Sequence, residues 1–132
     1  MDDNGDTPLH FAAARGVLNH VVWLLDGGAA PDTANSQGMT PAMKASIQGH
    51  LVIVKKLAEM PGVDLNQVDK EGATCLHLAT ALMHAPVVAY LLSLPGRLDR
   101  SIQTKDGKTA QDLASKGKNP KIVALFAKAT AP

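Results

Sequence analysis

Four copies of one short pattern divide this chain and restrict how it can fold. A threonine begins each copy, at Thr7, Thr40, Thr74 and Thr109, so the copies follow one another in steps of 33, 34 and 35 residues. Such a period predicts one supersecondary unit that is used four times and stacked on itself. A glycine stands two residues before each threonine and an alanine five residues after it, the columns being Gly5, Gly38, Gly72, Gly107 and Ala12, Ala45, Ala79, Ala114.

Each copy predicts two short helices. The threonine has a side-chain oxygen that can cap the first helix, and Pro8 and Pro41 suit the position that follows it. Gly16 and Gly49 can end that helix. An apolar segment such as VLNHVVWLL, from Val17, then predicts a second helix, and Gly- and Pro-rich stretches stop it. The expected fold class is all-α, a solenoid of helix-turn-helix pairs with projecting β-turn fingers.

Composition narrows the function classes. Apolar residues make up 45% and charged residues 19% of the chain, which is typical of a globular protein. The formal net charge of +1 gives no reason to expect nucleic acid or membrane binding. A single cysteine, Cys75, suits a reducing compartment, and no apolar run approaches the roughly 20 residues that span a bilayer. We therefore expect no membrane insertion and an intracellular location, in the cytoplasm, with the nucleus as an alternative.

The repeated columns are similar to those of a known family. The segment TPLHFA, residues 7–12, and endings such as GVDLN, residues 62–66, resemble the ankyrin repeat, whose motif is T-P-L-H-x-A with a period of about 33. The resemblance covers residues 2 to about 127 and implies a single domain over residues 1–132. It implies a gently curved stack that binds protein partners on its concave side. The expected repeats are about 2–34, 35–67, 68–102 and 103–127, with a flexible tail at 128–132.

The two end repeats depart from the pattern in different ways. In repeat 4, Asp112 replaces the histidine and can cap its helix together with Thr109, and lysines are frequent, which predicts a C-terminal cap. In repeat 1, the apolar Val17, Val22 and Trp23 stand at or beside positions that are polar in repeat 2. Exposed apolar strips usually have a neighbour. We therefore expect either a longer protein with further N-terminal repeats or another chain that covers this face.

His10 and His77 occupy the same column, and two interpretations of them are open. They could form a metal site or supply a general base. They could instead tie neighbouring repeats together by hydrogen bonds, as the resemblance implies. No Cys, Asp or Glu recurs beside them at metal-ligand spacing, which favours the structural role. His50 belongs to a Gly-His link and is expected to be local, whereas His20 and His84 are expected at the surface or between repeats.

Catalytic motifs are absent from the sequence. It contains no P-loop, no G-x-G-x-x-G, no H-E-x-x-H, no G-x-S-x-G and no spaced cysteine cluster. Cys75, in the first turn of a helix, could have a lowered thiol pKa, or it could simply fill a position held by proline in repeats 1 and 2. We predict that the chain is not an enzyme, has no catalytic residue and binds neither a cofactor nor a metal.

Two kinds of position are expected to be free of packing. They are the finger residues that flank the glycine and the residues near the end of the first helix. Among them Met39, Ile47, Ala81 and Leu82 form an apolar centre of the kind found in protein-binding surfaces. The alternative is that Ile47 and Leu82 pack between adjacent first helices. The predicted contact residues are Asp3, Asn4, Asp6, Arg15, Ser36, Gln37, Met39, Ile47, Gln48, Lys70, Glu71, Ala81, Leu82, Lys105, Asp106 and Lys108.

These features predict a non-catalytic scaffold that binds a protein or peptide partner on the concave face and finger tips. The alternative is a regulatory or targeting ankyrin segment of a larger multidomain enzyme or channel. Nucleic acid binding through the basic residues of the last repeats is a weaker interpretation, because the aromatic side chains that stack on single strands are not interleaved among them.

Overall fold

The computed structural model describes residues 4–94 and 97–130, without the side chains of residues 129 and 130. Within those ranges the chain forms eight α-helices and no β-strand, which confirms the all-α class. The helices come in four pairs, repeats 1 to 4, and the boundaries expected between repeats stay predictions. The pairs are α1 (Pro8–Arg15) with α2 (Leu18–Asp26), α3 (Pro41–Gln48) with α4 (Leu51–Ala58), α5 (Cys75–Ala81) with α6 (Ala85–Leu92), and α7 (Ala110–Gly117) with α8 (Pro120–Thr130).

The helices form two layers with a core between them. The first helices of successive repeats, α1, α3, α5 and α7, pack side by side, and the second helices, α2, α4, α6 and α8, do the same in the other layer. The alanine column is buried in all four repeats, where a small side chain allows the helices to approach closely. The core therefore follows the length of the stack. Its largest buried side chains include Leu9, Met43, Ile53, Leu57, Leu91, Ile122 and Phe126.

Each first helix begins after the threonine that the sequence predicts. In all four repeats the threonine hydroxyl accepts a hydrogen bond from the backbone N–H three residues later. In repeats 1, 3 and 4 the cap is reciprocal, because the side chain of that later residue accepts from the threonine N–H. The pair predicted in repeat 4, Thr109 with Asp112, is confirmed at 2.9 Å. His10 and His77 perform the same task in repeats 1 and 3, so this column helps to start the helices.

The first helices end in a left-handed residue. Gly16 and Gly49 take this conformation in repeats 1 and 2, both with φ of 75°. Met83 and Lys118 take the corresponding place in repeats 3 and 4, with φ of 62° and 55°. A left-handed backbone costs a residue with a Cβ about 1–2 kcal/mol. Repeats 3 and 4 therefore keep the turn geometry at a cost that glycine avoids.

The C-terminal helix extends further than expected. α8 runs from Pro120 to Thr130, so residues 128–130, predicted to belong to the flexible tail, continue the helix instead. The sequence AKAT, residues 127–130, contains neither glycine nor proline, and alanine and lysine are strong helix formers. Residues 131 and 132 of the predicted tail lie outside the described residues.

Candidate protein-interaction surface

Backbone hydrogen bonds join each finger to the next. At each of the three junctions an N–H at one finger tip donates to a carbonyl at the preceding tip. Because these bonds use only main-chain atoms, they fix the spacing of the tips without engaging the side chains. The links run from the Ser36 N–H to the Asn4 carbonyl (2.8 Å), from Lys70 to Gln37 (2.9 Å) and from Lys105 to Glu71 (2.9 Å).

The turn in each of the two middle fingers is closed by the side chain of its first residue. Asn35 Oδ1 accepts from the N–H groups of Gln37 and Met39, both at 2.9 Å. Asp69 makes the same pair of bonds in the next finger. Asn35 also donates from Nδ2 to a carboxylate oxygen of Asp6 at 2.8 Å, which links its finger to the preceding one. Asx side chains thus hold the finger backbones in shape before any partner arrives.

Most of the predicted contact residues lie at the surface. Leu82 is the most prominent apolar one, with 49% of its surface exposed, and Ile47 is half-buried. Asp3 lies outside the described residues. The exposed members of the predicted set are Asn4, Arg15, Ser36, Gln37, Gln48, Lys70, Glu71, Ala81, Leu82, Lys105, Asp106 and Lys108.

Two predicted contact residues have packing roles. Asp6 is only 6% exposed and accepts the hydrogen bond from Asn35, so the expectation that it is free for a partner is wrong. Its position after the glycine faces the next finger and not the solvent. Met39 is half-buried against the core, and its carbonyl accepts a hydrogen bond from His10 Nε2 at 2.8 Å. The apolar part of the surface is therefore smaller than the sequence predicts.

Four histidines connect neighbouring repeats. Each imidazole Nε2 donates to a main-chain carbonyl of an adjacent repeat, and since a carbonyl can only accept, Nε2 carries the proton. Nδ1 of His10 accepts from the Thr7 N–H, so neither nitrogen of that ring is left for a metal. His50 also bonds to a neighbouring repeat, so the expectation that its role is local is wrong. The bonds join His10 to Met39 (2.8 Å), His50 to Ala14 (3.0 Å), His84 to Ile47 (2.7 Å) and His77 to Lys108 (3.0 Å).

The histidine bonds are distributed unevenly along the stack. The junction of repeats 1 and 2 has two of them, from His10 and His50. The junction of repeats 2 and 3 has the bond from His84, because Met43 takes the place of the other histidine. The junction of repeats 3 and 4 has the bond from His77. Repeats 1 and 2 are thus the most strongly linked pair in polar terms.

The chemistry available within the described residues is limited. Cys75 is buried, and the loss of solvation raises the pKa of its thiol to about 12, so the interpretation of a reactive thiolate is wrong. In this part of the chain no three His, Cys, Asp or Glu side chains are placed to hold a metal ion. Its helices also include none with the length and apolarity to cross a bilayer.

A second exposed surface lies on repeat 1, and the sequence predicted it only in part. Trp23 is 74% exposed, as its polar counterpart in repeat 2 suggested, but Val17 and Val22 are half-buried. A comparison of every aligned position across the four repeats could have found the other residues of this surface. They are Pro8, Phe11 and Leu24, which line a groove with Trp23.

The described chain is an open stack of helix pairs in which main-chain bonds hold a row of exposed tips. This arrangement defines a helical repeat protein. A family model described as ankyrin repeats (3 copies) matches residues 1–69 and 53–131. The chain therefore belongs to the ankyrin repeat family, whose members are generally protein-interaction modules and typically non-catalytic.

Several longer proteins contain a similar segment. The chain is 36% identical over 94 residues to the human "Photoreceptor ankyrin repeat protein", across 69% of this chain and 21% of that protein. It is 40% identical over 86 residues to the "Putative E3 ubiquitin-protein ligase XBAT31" of Arabidopsis thaliana, across 64% of this chain and 19% of that one. It is 31% identical over 130 residues to the "Nuclear factor NF-kappa-B p105 subunit" of Gallus gallus, across 96% and 13%. The chain thus spans about a fifth or less of these relatives' lengths.

Proposed function

We propose that this chain is a non-catalytic scaffold that binds a protein or peptide partner across the finger tips and the adjoining ends of the first helices. The observation that carries the proposal is the chain of main-chain bonds between tips, from Asn4 to Lys105. These bonds fix exposed side chains at regular intervals in the free protein. A partner that meets a rigid surface loses less conformational freedom on binding, which favours affinity.

The exposed side chains indicate the chemistry of the partner. Leu82, beside the exposed Ala81, offers an apolar anchor between charged finger tips. Lys70 and Glu71 are exposed at the third tip. The fourth finger presents lysines and Asp106. A partner with one apolar side chain near α5 and carboxylates toward repeat 4 fits this order of groups, because an apolar centre with a charged rim is typical of interfaces.

The buried, unpaired thiol of Cys75 supports a reducing compartment for this scaffold, since disulfide-forming environments favour paired cysteines. We therefore place the scaffold inside the cell. The same surface could serve a partner domain within a longer polypeptide, and this is the regulatory or targeting alternative. The exposed surface of repeat 1 around Trp23 and Phe11 is the observation that favours that alternative.

The proposal is tested by quantitative affinity capture with two matched variants. Leu82→Glu places a charge in the apolar part of the proposed surface, and Val52→Glu does so at a similarly exposed position, 57%, on α4 in the other layer. We expect Leu82→Glu to weaken capture of the partner by at least about tenfold and Val52→Glu to leave it unchanged. Urea titrations confirm that both variants fold. Equal capture by both, or loss with Val52→Glu alone, contradicts the proposed surface.

A further inference from the structure

The outer face of repeat 1 is apolar and uncovered. We use this name for the surface formed by Pro8, Phe11, Arg15, His20, Trp23 and Leu24, which with Ala12 lines a groove of about 430 Å³. Trp23 is 74% exposed and Phe11 49% exposed. Aromatic surface of this extent is unusual on an uncovered helix layer and indicates an interaction site.

Three of these columns, those of Pro8, His20 and Leu24, are buried in every later repeat. Leu24 is half-buried, whereas the residues aligned with it are 1% exposed or less: Leu57, Leu91 and Phe126. His20 is exposed, whereas the residues aligned with it are also 1% exposed or less: Ile53, Val87 and Ile122. The centre of the outer face, Pro8, His20 and Leu24, therefore belongs to columns that form a buried interface elsewhere in this chain, whereas the column of Arg15 is exposed in every repeat.

Repeat 4 shows which neighbour covers these columns. No helix pair follows repeat 4 within the described residues, and yet Ile122 and Phe126 are each only 1% exposed. A following repeat is therefore not what buries them. The neighbour that repeats 2, 3 and 4 share is a preceding repeat, which the described residues do not include for repeat 1.

The opposite side of repeat 4 differs from the outer face of repeat 1. Repeat 4 has exposed polar residues at positions that are buried in repeat 3: Gln111, Asp112 and Ser115. A polar side of this kind needs no cover, as in a terminal capping repeat. The outer face of repeat 1 has instead the composition of a buried stacking interface.

From these observations we infer that the outer face of repeat 1 is a stacking interface completed by one more helix pair, placed N-terminal to α1 in the same polypeptide. At each of the three observed junctions the pair that covers these columns is the one directly preceding it in the chain. A preceding pair extends the same two layers without a change of geometry. The added pair covers Trp23 in part and buries Leu24, as in repeat 3, where the aligned Tyr90 is half-buried and Leu91 is buried.

One feature of the added pair follows from Val17. The rings of His50 and His84 lie within 2.7 Å of where a Cβ on Gly16 or Gly49 would stand, so those glycines are required. In repeat 4 the corresponding residue is Asn119, and there the preceding repeat has Met83 in place of glycine. Repeat 1 has Val17 at this position. The first helix of the added pair can therefore end in a residue other than glycine.

A second feature follows from His20, the polar member of the outer face whose column is buried in the later repeats. His20 stands in a column that is Ile or Val in all later repeats, and Arg15 lies beside it in the same groove. A buried imidazole requires an acceptor. The added pair therefore offers a carboxylate or a free carbonyl to His20, beside apolar side chains for Trp23 and Leu24.

Trp23 makes this inference testable, because it is the chain's single tryptophan. A copy of residues 35–67 placed directly before residue 2 supplies a preceding pair. We expect Trp23 emission to move to shorter wavelength, acrylamide quenching to fall by about threefold as apolar surface is buried, and the urea midpoint to rise. The same copy attached after Pro132 is the control, and it is expected to leave Trp23 unchanged.

His20→Ile sharpens the experiment. The isoleucine matches repeats 2 and 4, so it is expected to raise the urea midpoint of the front-extended chain and to leave that of the unextended chain unaltered. An equal effect in both chains, or an unshifted Trp23 in the extended chain, overturns the inference. A blue shift in the unextended chain that depends on concentration identifies a second copy as the occupant and also overturns it. An in-frame stop codon within about 33 codons upstream of Met1 overturns the assignment to the same polypeptide.

Discussion

The imidazole of His50 occupies the space that a Cβ on Gly16 would need, with three ring atoms within 2.9 Å of that position. The same ring donates to the Ala14 carbonyl at 3.0 Å. Gly16 therefore meets two requirements at once, since it adopts a φ of 75° and leaves room for a side chain of the next repeat.

The double requirement predicts a large cost for Gly16→Ala. We expect a loss of about 2–4 kcal/mol in the free energy of unfolding, from backbone strain and from the clash with His50. Gly62→Ala is the control, because Gly62 has a φ of 79° with nothing within 4 Å of a Cβ, and it is expected to cost about 1 kcal/mol. In a His50→Ala background the two glycine substitutions become equal in urea titrations. A persistent difference there contradicts the clash.

The pairing of glycine with histidine can be installed in repeat 4. Met83→Gly relieves the left-handed strain and is expected to stabilise the protein by about 0.5–1 kcal/mol. Asn119→His alone removes the cap that Asn119 provides to α8 and is expected to cost about 1 kcal/mol. Combined, they let the new imidazole reach the Ala81 carbonyl, so a double-mutant cycle should show favourable coupling. If the effects of the two substitutions on the free energy of unfolding are simply additive, the proposed hydrogen bond to the Ala81 carbonyl does not form.

Asn35 is predicted to be the most sensitive finger residue. Asn35→Ala removes two bonds within its finger and the bond to the buried Asp6, and is expected to cost about 2–4 kcal/mol. Asn35→Asp keeps the acceptor but places two carboxylates together, so it is also destabilising at neutral pH. Asp69→Asn, at the aligned position, keeps its acceptor and serves as the control, with an expected change below about 1 kcal/mol in urea titrations. Comparable losses at both positions would remove the role assigned to Asp6.

The cap of α7 predicts a pH dependence. Hydrogen bonds from the Thr109 N–H and hydroxyl, with help from Lys108, hold the pKa of Asp112 below its ordinary value. A carboxyl whose pKa is lower in the folded state adds stability that is present above its unfolded pKa, about 3.9, and is lost as the pH falls through the folded value. Asp112→Asn should make the urea midpoint fall less steeply on acidification. Asp106→Asn, at an exposed finger tip, is the comparison variant.

The Cys75 thiol is predicted to resist modification while the chain is folded. Burial and a pKa of about 12 leave almost no accessible thiolate at neutral pH. Labelling by a disulfide reagent should then require opening of the stack, and proceed at least about a thousand-fold more slowly than at an exposed cysteine. Leu82→Cys in a Cys75→Ala background supplies the exposed reference. Similar rates at the two sites are incompatible with a buried thiol.

The sequence predicts the helices of this chain well because their signals are local. A threonine cap, a proline in the first turn and a glycine at the end act within one repeat, and they mark α1 and α3 correctly. Met83 and Lys118 show the limit, since neighbouring packing holds them in a conformation that their own side chains disfavour. In repeats 3 and 4 the end of the first helix is predicted by the repeat period, and not by the type of residue at that position.

The contact surface is harder to predict because its members depend on the neighbouring repeat. Asp6 is polar and follows a turn glycine, which is typical of an exposed residue, yet Asn35 of the next finger buries it. Phe11 shows the reverse case, since an aromatic residue inside a helix predicts burial and it is 49% exposed. The burial of Asp6 and Phe11 depends on whether another repeat packs beside them. The spacing of residues within one repeat does not give this information.

The uneven histidine bonds give the stack a direction. In a linear array each unit is stabilised by its own folding and by its contacts with adjacent units, so weak contacts decide where the array comes apart. Two imidazole hydrogen bonds join repeats 1 and 2 at the N-terminal end. The boundary between repeats 2 and 3 lacks one of them, because Met43 stands where repeat 1 has His10. Under a pulling force, or during proteolysis, the C-terminal half of the molecule should therefore unfold first, and repeats 1 and 2 should remain folded longest.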